Sequence, residues 1–183
     1  RAEDSENVIY LGSFSKTIAP GLRVGWTLVP PSLKEKLVIA SESSILCPSN
    51  FTQLTISSYL ADQPWRDQIA SFCDLYKVRR DAMLESLEEH FPATAQWTKP
   101  GGGFYVWVTL PPEIDTTALM PKAIVAKVAY VPGTAFYADG FGSWSLRLSY
   151  CYPTPERIRE GVKALGGVIK QEMASRKGFE LKG

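Results

Sequence analysis

A short segment near the start of the sequence combines a lysine, two serines and an arginine between two apolar runs. Residues 12–26 read GSFSKTIAPGLRVGW, with Lys16 placed after Ser13 and Ser15 and followed seven residues later by Arg23. Hydroxyls, loop N–H groups and a guanidinium together suit a phosphate. A lysine beside them serves either as a further charge or as a nucleophile. Composition alone leaves a second interpretation open, a solvated loop lysine with a structural arginine.

Two short strands are predicted on either side of this segment. The first covers residues 7–12, an apolar run that closes on a glycine. The second covers residues 22–29 and ends before Pro30 and Pro31. Loops that follow strands of an α/β sheet are where ligands bind. The predicted strands therefore present the lysine segment at the end of a sheet.

Three helices are predicted after the second strand. Ser32 and Glu35 form the S-x-x-E pattern of a capping box, in which both side chains satisfy backbone N–H groups at a helix start. Ser49 is placed to begin the next helix, and Pro92 to stop a long helix whose apolar residues recur at helical spacing. The predicted spans are residues 32–43, 51–60 and 64–91.

The pattern after residue 92 is that of a compact α+β unit. A glycine triplet, Gly101 to Gly103, precedes a β-rich run. Strands are predicted at residues 104–110, 128–131 and 144–150, and helices at 116–127 and 155–174. Pro121 is expected in the first turn of its helix or in an irregular start. The polar residues 175–183 are expected to be frayed.

Composition excludes several classes of function. The 183 residues carry a formal net charge of +1, so charge gives no support for nucleic-acid binding. No apolar run is long enough for a transmembrane helix. Cys47, Cys73 and Cys151 are odd in number and widely spaced, which predicts reduced thiols of a cytoplasmic protein and no metal site. His90, the only histidine, lacks a Ser or Cys motif and is not expected to be catalytic.

The lysine segment closely resembles the cofactor-lysine motif of fold type I class I/II aminotransferases that depend on pyridoxal 5'-phosphate (PLP). In the branch with 2-aminoadipate, kynurenine and aromatic aminotransferases, S-x-S-K-x-x-x-P-G-L-R-x-G is typical. Three later segments continue the resemblance in the same order: KPGGGFYVW at 99–107, VPGTAF at 131–136 and SLRLSY at 145–150. The resemblance covers nearly the whole chain.

The resemblance implies an α/β fold, namely the C-terminal part of the PLP-dependent transferase (aspartate aminotransferase-like) fold. Residues 1–92 would be the end of the large PLP-binding domain with a connecting long helix, and residues 93–183 the small α+β domain. In the family, the half before the lysine supplies the Asp on the pyridine nitrogen and other cofactor ligands. We therefore expect the chain to be part of a longer protein, and inactive and prone to aggregate by itself.

The resemblance also implies roles for five residues. Lys16 would form the internal aldimine with PLP and then move a proton between the substrate Cα and the cofactor. Arg23 would bind the cofactor phosphate, with Ser13 and Ser15 as hydroxyl donors. Arg147 would hold the substrate α-carboxylate in a bidentate fork, a geometry that lysine cannot copy.

The expected activity is transfer of an amino group between an L-amino acid and a 2-oxo acid by a homodimer. An alternative is the PLP-binding sensor domain of a winged-helix transcription regulator, which would need a DNA-binding domain before the fold. A third is a lyase or decarboxylase. Arg147 argues against decarboxylation, because it would hold the substrate α-carboxylate in place.

The sequence does not determine which substrate side chain the protein accepts. Tyr105, Trp107 and Trp144 are expected in the core, whereas Phe136 and Tyr137 fit either the core or the pocket.

Overall fold

The computed structural model describes residues 7–180, with the side chains of residues 7–176, and the fold is α/β. The strands are β1 (Tyr10–Ser13), β2 (Gly25–Leu28), β3 (Gln96–Trp97), β4 (Tyr105–Thr109), β5 (Val131–Pro132) and β6 (Ser145–Ser149). The helices are α1 (Pro31–Ile45), α2 (Asn50–Asp62), α3 (Trp65–His90), α4 (Thr116–Val125) and α5 (Pro155–Glu180). Within residues 7–180, no helix is both long and apolar enough to cross a membrane.

The chain divides into two compact units inside α3. The N-terminal unit ends at Ala70, and the C-terminal unit begins at Ser71. The domain boundary expected near residue 92 concerns the whole protein and stays a prediction.

A two-stranded antiparallel hairpin forms the sheet of the N-terminal unit. Its register runs from Tyr10 opposite Leu28 to Ser13 opposite Gly25. Both strands were predicted, although β1 begins at Tyr10 instead of residue 7. The Trp26 ring lies across the hairpin so closely that a Cβ at position 12 would come within 2.1 Å of it. The hairpin therefore requires glycine at the residue before Ser13.

The two complete helices of the N-terminal unit begin differently. Helix α2 starts as predicted, with the Ser49 hydroxyl accepting the Thr52 N–H at 3.4 Å. Helix α1 begins at Pro31, so Ser32 lies inside the first turn and the predicted capping box is wrong. Proline suits the first position of a helix because its missing N–H would have no partner there.

The sheet of the C-terminal unit has the order β3-β4-β6-β5, with antiparallel neighbours throughout. The central pair, β4 and β6, is aligned from Tyr105 opposite Ser149 to Thr109 opposite Ser145. Alternate residues of both strands are buried on the core face, and Arg147 lies on the other face. Strand β5 covers Val131–Pro132, later than the predicted strand at 128–131.

One hydrophobic core holds the C-terminal unit together. Helices α3, α4 and α5 and the sheet all contribute to it. Its buried members are Ala82, Met83, Leu87, Phe91, Ala95, Val106, Val108, Leu110, Ile114, Leu119, Ala123, Tyr130, Leu146, Leu148, Tyr150, Ile158, Val162, Leu165 and Ile169. Four of these residues, Ile158, Val162, Leu165 and Ile169, recur at helical spacing along α5 and form its apolar stripe. Helix α5 continues to Glu180, so the fraying expected from Ser175 is wrong up to that residue, and residues 181–183 lie outside the described residues.

Helix α4 is capped by Asp115, whose carboxylate accepts N–H groups of Thr117 at 2.8 Å and Ala118 at 3.0 Å. Pro121 is the sixth residue of this ten-residue helix, so its expected place in the first turn is wrong. The buried Tyr130 hydroxyl donates to the Thr116 carbonyl at 2.6 Å, and burial raises the pKa of Tyr130. This bond ties the segment before β5 to the start of α4.

Candidate functional site

The lysine loop, residues 14–24, joins β1 to β2 and is ordered by its own backbone. The Phe14 N–H donates to the Val24 carbonyl at 3.1 Å, which extends the hairpin by one pair. The Phe14 carbonyl in turn accepts the N–H groups of Ile18 at 2.9 Å and Ala19 at 3.1 Å. Lys16 lies in this turn with an exposed side chain, and among the described residues it has no hydrogen bond or ion pair. The loop thus presents an unpaired amine on a fixed backbone.

Side chains of three predicted cofactor ligands meet on the lysine loop. The Arg23 guanidinium donates through Nη1 to the Ser15 hydroxyl at 3.5 Å and to the Pro20 carbonyl at 3.2 Å. The Ser15 N–H donates to the Ser13 hydroxyl at 3.2 Å. Hydrogen bonds therefore link Ser13, Ser15 and Arg23 within the segment that contains Lys16. This donor set fits a phosphate monoester, and the adjacent amine fits a reactive carbonyl.

Arg23 adopts a left-handed backbone conformation, with φ of 53° and ψ of 37°. It follows the short 3-10 turn Pro20–Leu22. An L-residue with a side chain pays about 1–2 kcal/mol for this conformation, and such strain concentrates at functional sites. The turn directs the guanidinium back across the loop toward Ser15.

A cavity of about 300 Å³ lies beside the hairpin within the N-terminal unit. Ser13, Phe14 and Thr17 from the loop region line it, together with apolar residues that include Leu60. Its lining does not include the Lys16 and Arg23 side chains, which are exposed. Among the predicted cofactor ligands, Ser13 borders the cavity, whereas Lys16 and Arg23 do not.

Arg147 occupies the middle of β6, opposite Trp107 on β4 and Val131 on β5. Its guanidinium carbon lies 3.9 Å from the ring centre of Tyr105 and 4.6 Å from that of Phe136. Its Nε is buried and has no hydrogen-bond partner in the described part of the chain. A buried donor without an acceptor costs about 1–3 kcal/mol. The arrangement fits a carboxylate that supplies the missing acceptor.

Aromatic side chains surround Arg147 on the face of the sheet away from the core. Trp107 packs edge to face on Phe136 with ring centres 5.3 Å apart, and Tyr137 lies 6.3 Å from Trp107. Tyr105, Trp107, Phe136 and Tyr137 form what we term the aromatic patch. Tyr105 is 39% exposed and Phe136 is 44% exposed.

The expected core positions of three aromatic residues are therefore wrong. Trp107 and Trp144 are half-buried, and Tyr105 is exposed. The physical reason is the alternation of a strand, since Val106 and Val108 already fill the core face of β4. The same alternation in YVWVT and SLRLS could have placed Tyr105, Trp107 and Arg147 on one face from the sequence.

The predicted site residues fall into two sets, each described within its own unit. Ser13, Ser15, Lys16 and Arg23 belong to the N-terminal unit, and Arg147 belongs to the C-terminal unit. In residues 7–180 there is no group of three or more His, Cys, Asp or Glu side chains that could hold a metal ion. The three cysteines, Cys47, Cys73 and Cys151, are free thiols.

Comparison with known proteins gives a consistent result. The family described as aminotransferase class I and II matches residues 1–165. An aromatic-amino-acid aminotransferase of Thermococcus litoralis is 46% identical over 94% of this chain and 42% of its own length. The crystal structure of a multiple substrate aminotransferase from Thermococcus profundus has a TM-score of 0.91 at 45% identity, over 94% of this chain and 43% of its own.

A relative with a different kind of name is also similar. An HTH-type transcriptional regulator of Bacillus subtilis is 34% identical over 93% of this chain and 35% of its own length. The chain spans about two fifths of the length of the aminotransferase relatives, 42% for the one from Thermococcus litoralis. The matched structures confirm the fold expected from the sequence, the C-terminal part of the aspartate aminotransferase fold.

Proposed function

The chain belongs to the class I and II aminotransferases, and we propose that the whole protein moves an amino group between an L-amino acid and a 2-oxo acid with PLP as cofactor. One observation carries the proposal: hydrogen bonds link Ser13, Ser15 and the Arg23 guanidinium within the segment that contains Lys16, whose amine has no partner among the described residues. The 46% identity with an aromatic-amino-acid aminotransferase supports the same activity.

The residues of the lysine loop fit the cofactor they would hold. Arg23 and the Ser15 hydroxyl offer charge and hydrogen bonds to its phosphate, and Ser13 adds a second hydroxyl. When bound, PLP supplies an aldehyde carbon for an amine and an electron-poor ring that accepts the electrons of a breaking Cα–H bond. The residues of this chain supply binding, orientation and proton movement around that chemistry.

Lys16 carries two tasks in this proposal. Its Nζ would hold the cofactor, and the same nitrogen would carry the proton of the substrate Cα. Both tasks need an amine that is not consumed by an ion pair. Among the described residues, no carboxylate lies close enough to Lys16 to form one.

Arg147 binds the substrate α-carboxylate in this proposal. A bound carboxylate would accept a hydrogen bond from the buried Nε of Arg147. Binding would therefore offset the free-energy cost of burying that donor without a partner. A two-point contact between guanidinium and carboxylate fixes the direction of the Cα–H bond. The aromatic patch beside Arg147 and the name of the Thermococcus litoralis relative favour amino acids with aromatic side chains.

A homodimer in the cytoplasm is the proposed form of the whole protein, with residues 1–92 in its large domain and 93–183 in its small domain.

The second candidate function is a PLP-binding sensor within a transcription regulator, which the Bacillus subtilis relative favours. Turnover separates the two functions. An enzyme converts an aromatic amino acid and 2-oxoglutarate to products at a steady rate, whereas a sensor binds PLP without sustained turnover.

The decisive experiment is borohydride reduction of the full-length protein after incubation with PLP, followed by mass mapping of its peptides. A pyridoxyl group on Lys16 is the expected result. A Lys34→Ala variant, which changes an exposed lysine of α1, is the control and should still be labelled at Lys16. Absence of any adduct, or an adduct on Lys99 instead, would overturn the assignment of Lys16.

A further inference from the structure

The orientation of Arg147 depends on aromatic rings and not on an anionic partner. Among the described residues, no carboxylate or carbonyl accepts a hydrogen bond from its guanidinium. Its closest partners are the rings of Tyr105 at 3.9 Å and Phe136 at 4.6 Å. Arginine side chains on exposed sheet faces commonly pair with Asp or Glu, so this environment calls for an explanation.

Each of the two rings is itself held in place. Tyr105 belongs to β4, and its backbone is paired with Ser149 of β6, two residues along the strand from Arg147. Phe136 is supported by Trp107, whose ring meets it at an interplanar angle of 83°. One ring thus comes from the sheet and the other from the turn Gly133–Phe136, and the arginine side chain rests against both.

A ring and a carboxylate engage different parts of a guanidinium. Aromatic rings contact the flat face of the group, which leaves the N–H donors at its edge available. An acidic side chain would use those donors and neutralise the charge. Stacking therefore fixes the direction of the guanidinium while its hydrogen-bonding edge stays open for a ligand.

We infer that Tyr105 and Phe136 are positioning residues that hold Arg147 ready for a substrate carboxylate. This inference rests on the proposed role of Arg147 in carboxylate binding and names the residues on which that role depends. The rings act through Arg147, so their removal affects ligands only when Arg147 is present.

The test measures binding of 3-phenylpropionate to the full-length, PLP-loaded protein by titration calorimetry. This probe has a carboxylate and an aromatic ring but no amine, so it cannot react. Tyr105→Leu and Phe136→Leu should each weaken binding about ten-fold, the size expected for a partly desolvated cation–π contact. Tyr105→Phe keeps the ring and should bind within about two-fold of the unchanged protein. Tyr152→Leu, at an 89% exposed tyrosine, is the control.

Steady-state kinetics give a second readout. Loss of either ring should raise KM for the amino acid more than it lowers kcat, since the carboxylate contact is made in the ground state as well as in the transition state. A fall in kcat with an unchanged KM would contradict a positioning role. If Tyr105→Leu fails to fold, Phe136→Leu carries the same test, because that side chain is 44% exposed.

A double-mutant cycle separates this inference from the proposed function. In an Arg147→Met background, Tyr105→Leu should cause no further loss of 3-phenylpropionate binding, whereas a merely structural ring would weaken binding in both backgrounds. If Arg147→Met itself binds like the unchanged protein, the proposed role of Arg147 fails. If Arg147→Met loses binding and the leucine variants do not, only the inference about Tyr105 and Phe136 fails.

Discussion

The two units order the two candidate cations, Lys16 and Arg147, in different ways. In the N-terminal unit, the lysine loop is fixed by backbone hydrogen bonds to Phe14, and among the described residues only Pro30 and Ile56 are buried. In the C-terminal unit, Arg147 rests on aromatic rings above a sheet whose other face joins a core of nineteen buried residues. A loop closed on itself needs little packing, whereas a stacked arginine needs a rigid sheet beneath it.

Because of this difference, the residues proposed for the chemistry and the residues that stabilise the fold lie largely in different units. The N-terminal unit leaves large apolar side chains exposed, among them Leu11 at 77% and Phe51 at 78%, so its own packing contributes little. The C-terminal unit has the packing of an independent core. Changes in the lysine loop should therefore affect chemistry and spare stability, and changes in the core should do the reverse. The aggregation expected of the isolated chain stays a prediction.

The largest expected effect is that of Lys16→Ala on transamination. Removing the amine removes both covalent attachment and proton transfer, so turnover should fall by about three orders of magnitude or more. The unfolding temperature of the cofactor-free protein should not change, because Lys16 is exposed and has no described partner. Steady-state assays and calorimetry of the full-length protein measure the two effects. A large loss of stability would contradict the separation drawn between the units.

The core of the C-terminal unit gives the reverse case. Leu165→Ala removes a fully buried side chain of α5 and should lower the free energy of unfolding by about 2–5 kcal/mol. The matched change in the N-terminal unit, Leu11→Ala, should alter it by about 0.5 kcal/mol or less, because Leu11 is exposed. Urea unfolding of both variants measures the difference. Equal losses would show that the hairpin is buried in the full-length protein.

Two neighbouring glycines of α5, Gly166 and Gly167, differ in how closely they pack against the rest of the unit. A Cβ at Gly166 would come within 2.5 Å of the His90 carbonyl oxygen, and a backbone atom cannot easily give way. Gly166→Ala should therefore destabilise by about 1–3 kcal/mol. At Gly167 a Cβ meets nothing within 4 Å, so Gly167→Ala should stabilise by about 0.5–1 kcal/mol through helix propensity. Thermal unfolding shifts of opposite sign are the expected result.

The smallest effect concerns Glu172 of α5, which forms ion pairs with Lys122 of α4 and with Arg176 of its own helix. Hydrogen bonds from Lys122 and Arg176 hold the pKa of Glu172 below the ordinary glutamate value of 4.5. A lowered folded-state pKa stabilises the fold above about pH 4.5, and that stabilisation is lost as the pH falls through the folded value. Glu172→Gln should thus cost about 1 kcal/mol at pH 7, and the cost should shrink as the pH falls through the folded-state pKa of Glu172. Unfolding curves at pH 7 and at a series of lower pH values test this, and a cost independent of pH would contradict it.

Local signals in the sequence predicted much of the fold. Ser49 and Thr154 mark the starts of α2 and α5, and their hydroxyls accept N–H groups of the first turns at 3.4 Å. The apolar spacing between the two prolines at 64 and 92 predicts α3 almost to the residue. These features depend on residues close in the chain, so sequence spacing contains the information.

The missed features depend on contacts between distant segments or on competing local signals. Pro30 and Pro31 start α1 earlier than the serine pattern at Ser32 indicates, because proline also suits a helix start. Pro121 lies inside α4, where tertiary packing overrides its low helix propensity. The contact between Phe136 and Arg147 joins residues eleven positions apart and needs the folded sheet.

The left-handed backbone of Arg23 makes chirality part of the site. Glycine would relax that backbone but carries no guanidinium, and asparagine tolerates it but offers a neutral amide. A D-arginine would suit the backbone angles, yet its side chain would leave Cα in the direction now taken by hydrogen and would point away from Ser15. Among these alternatives, none both adopts the left-handed backbone without strain and places a positive charge beside Ser15. The strain is therefore inseparable from the placement of the charge.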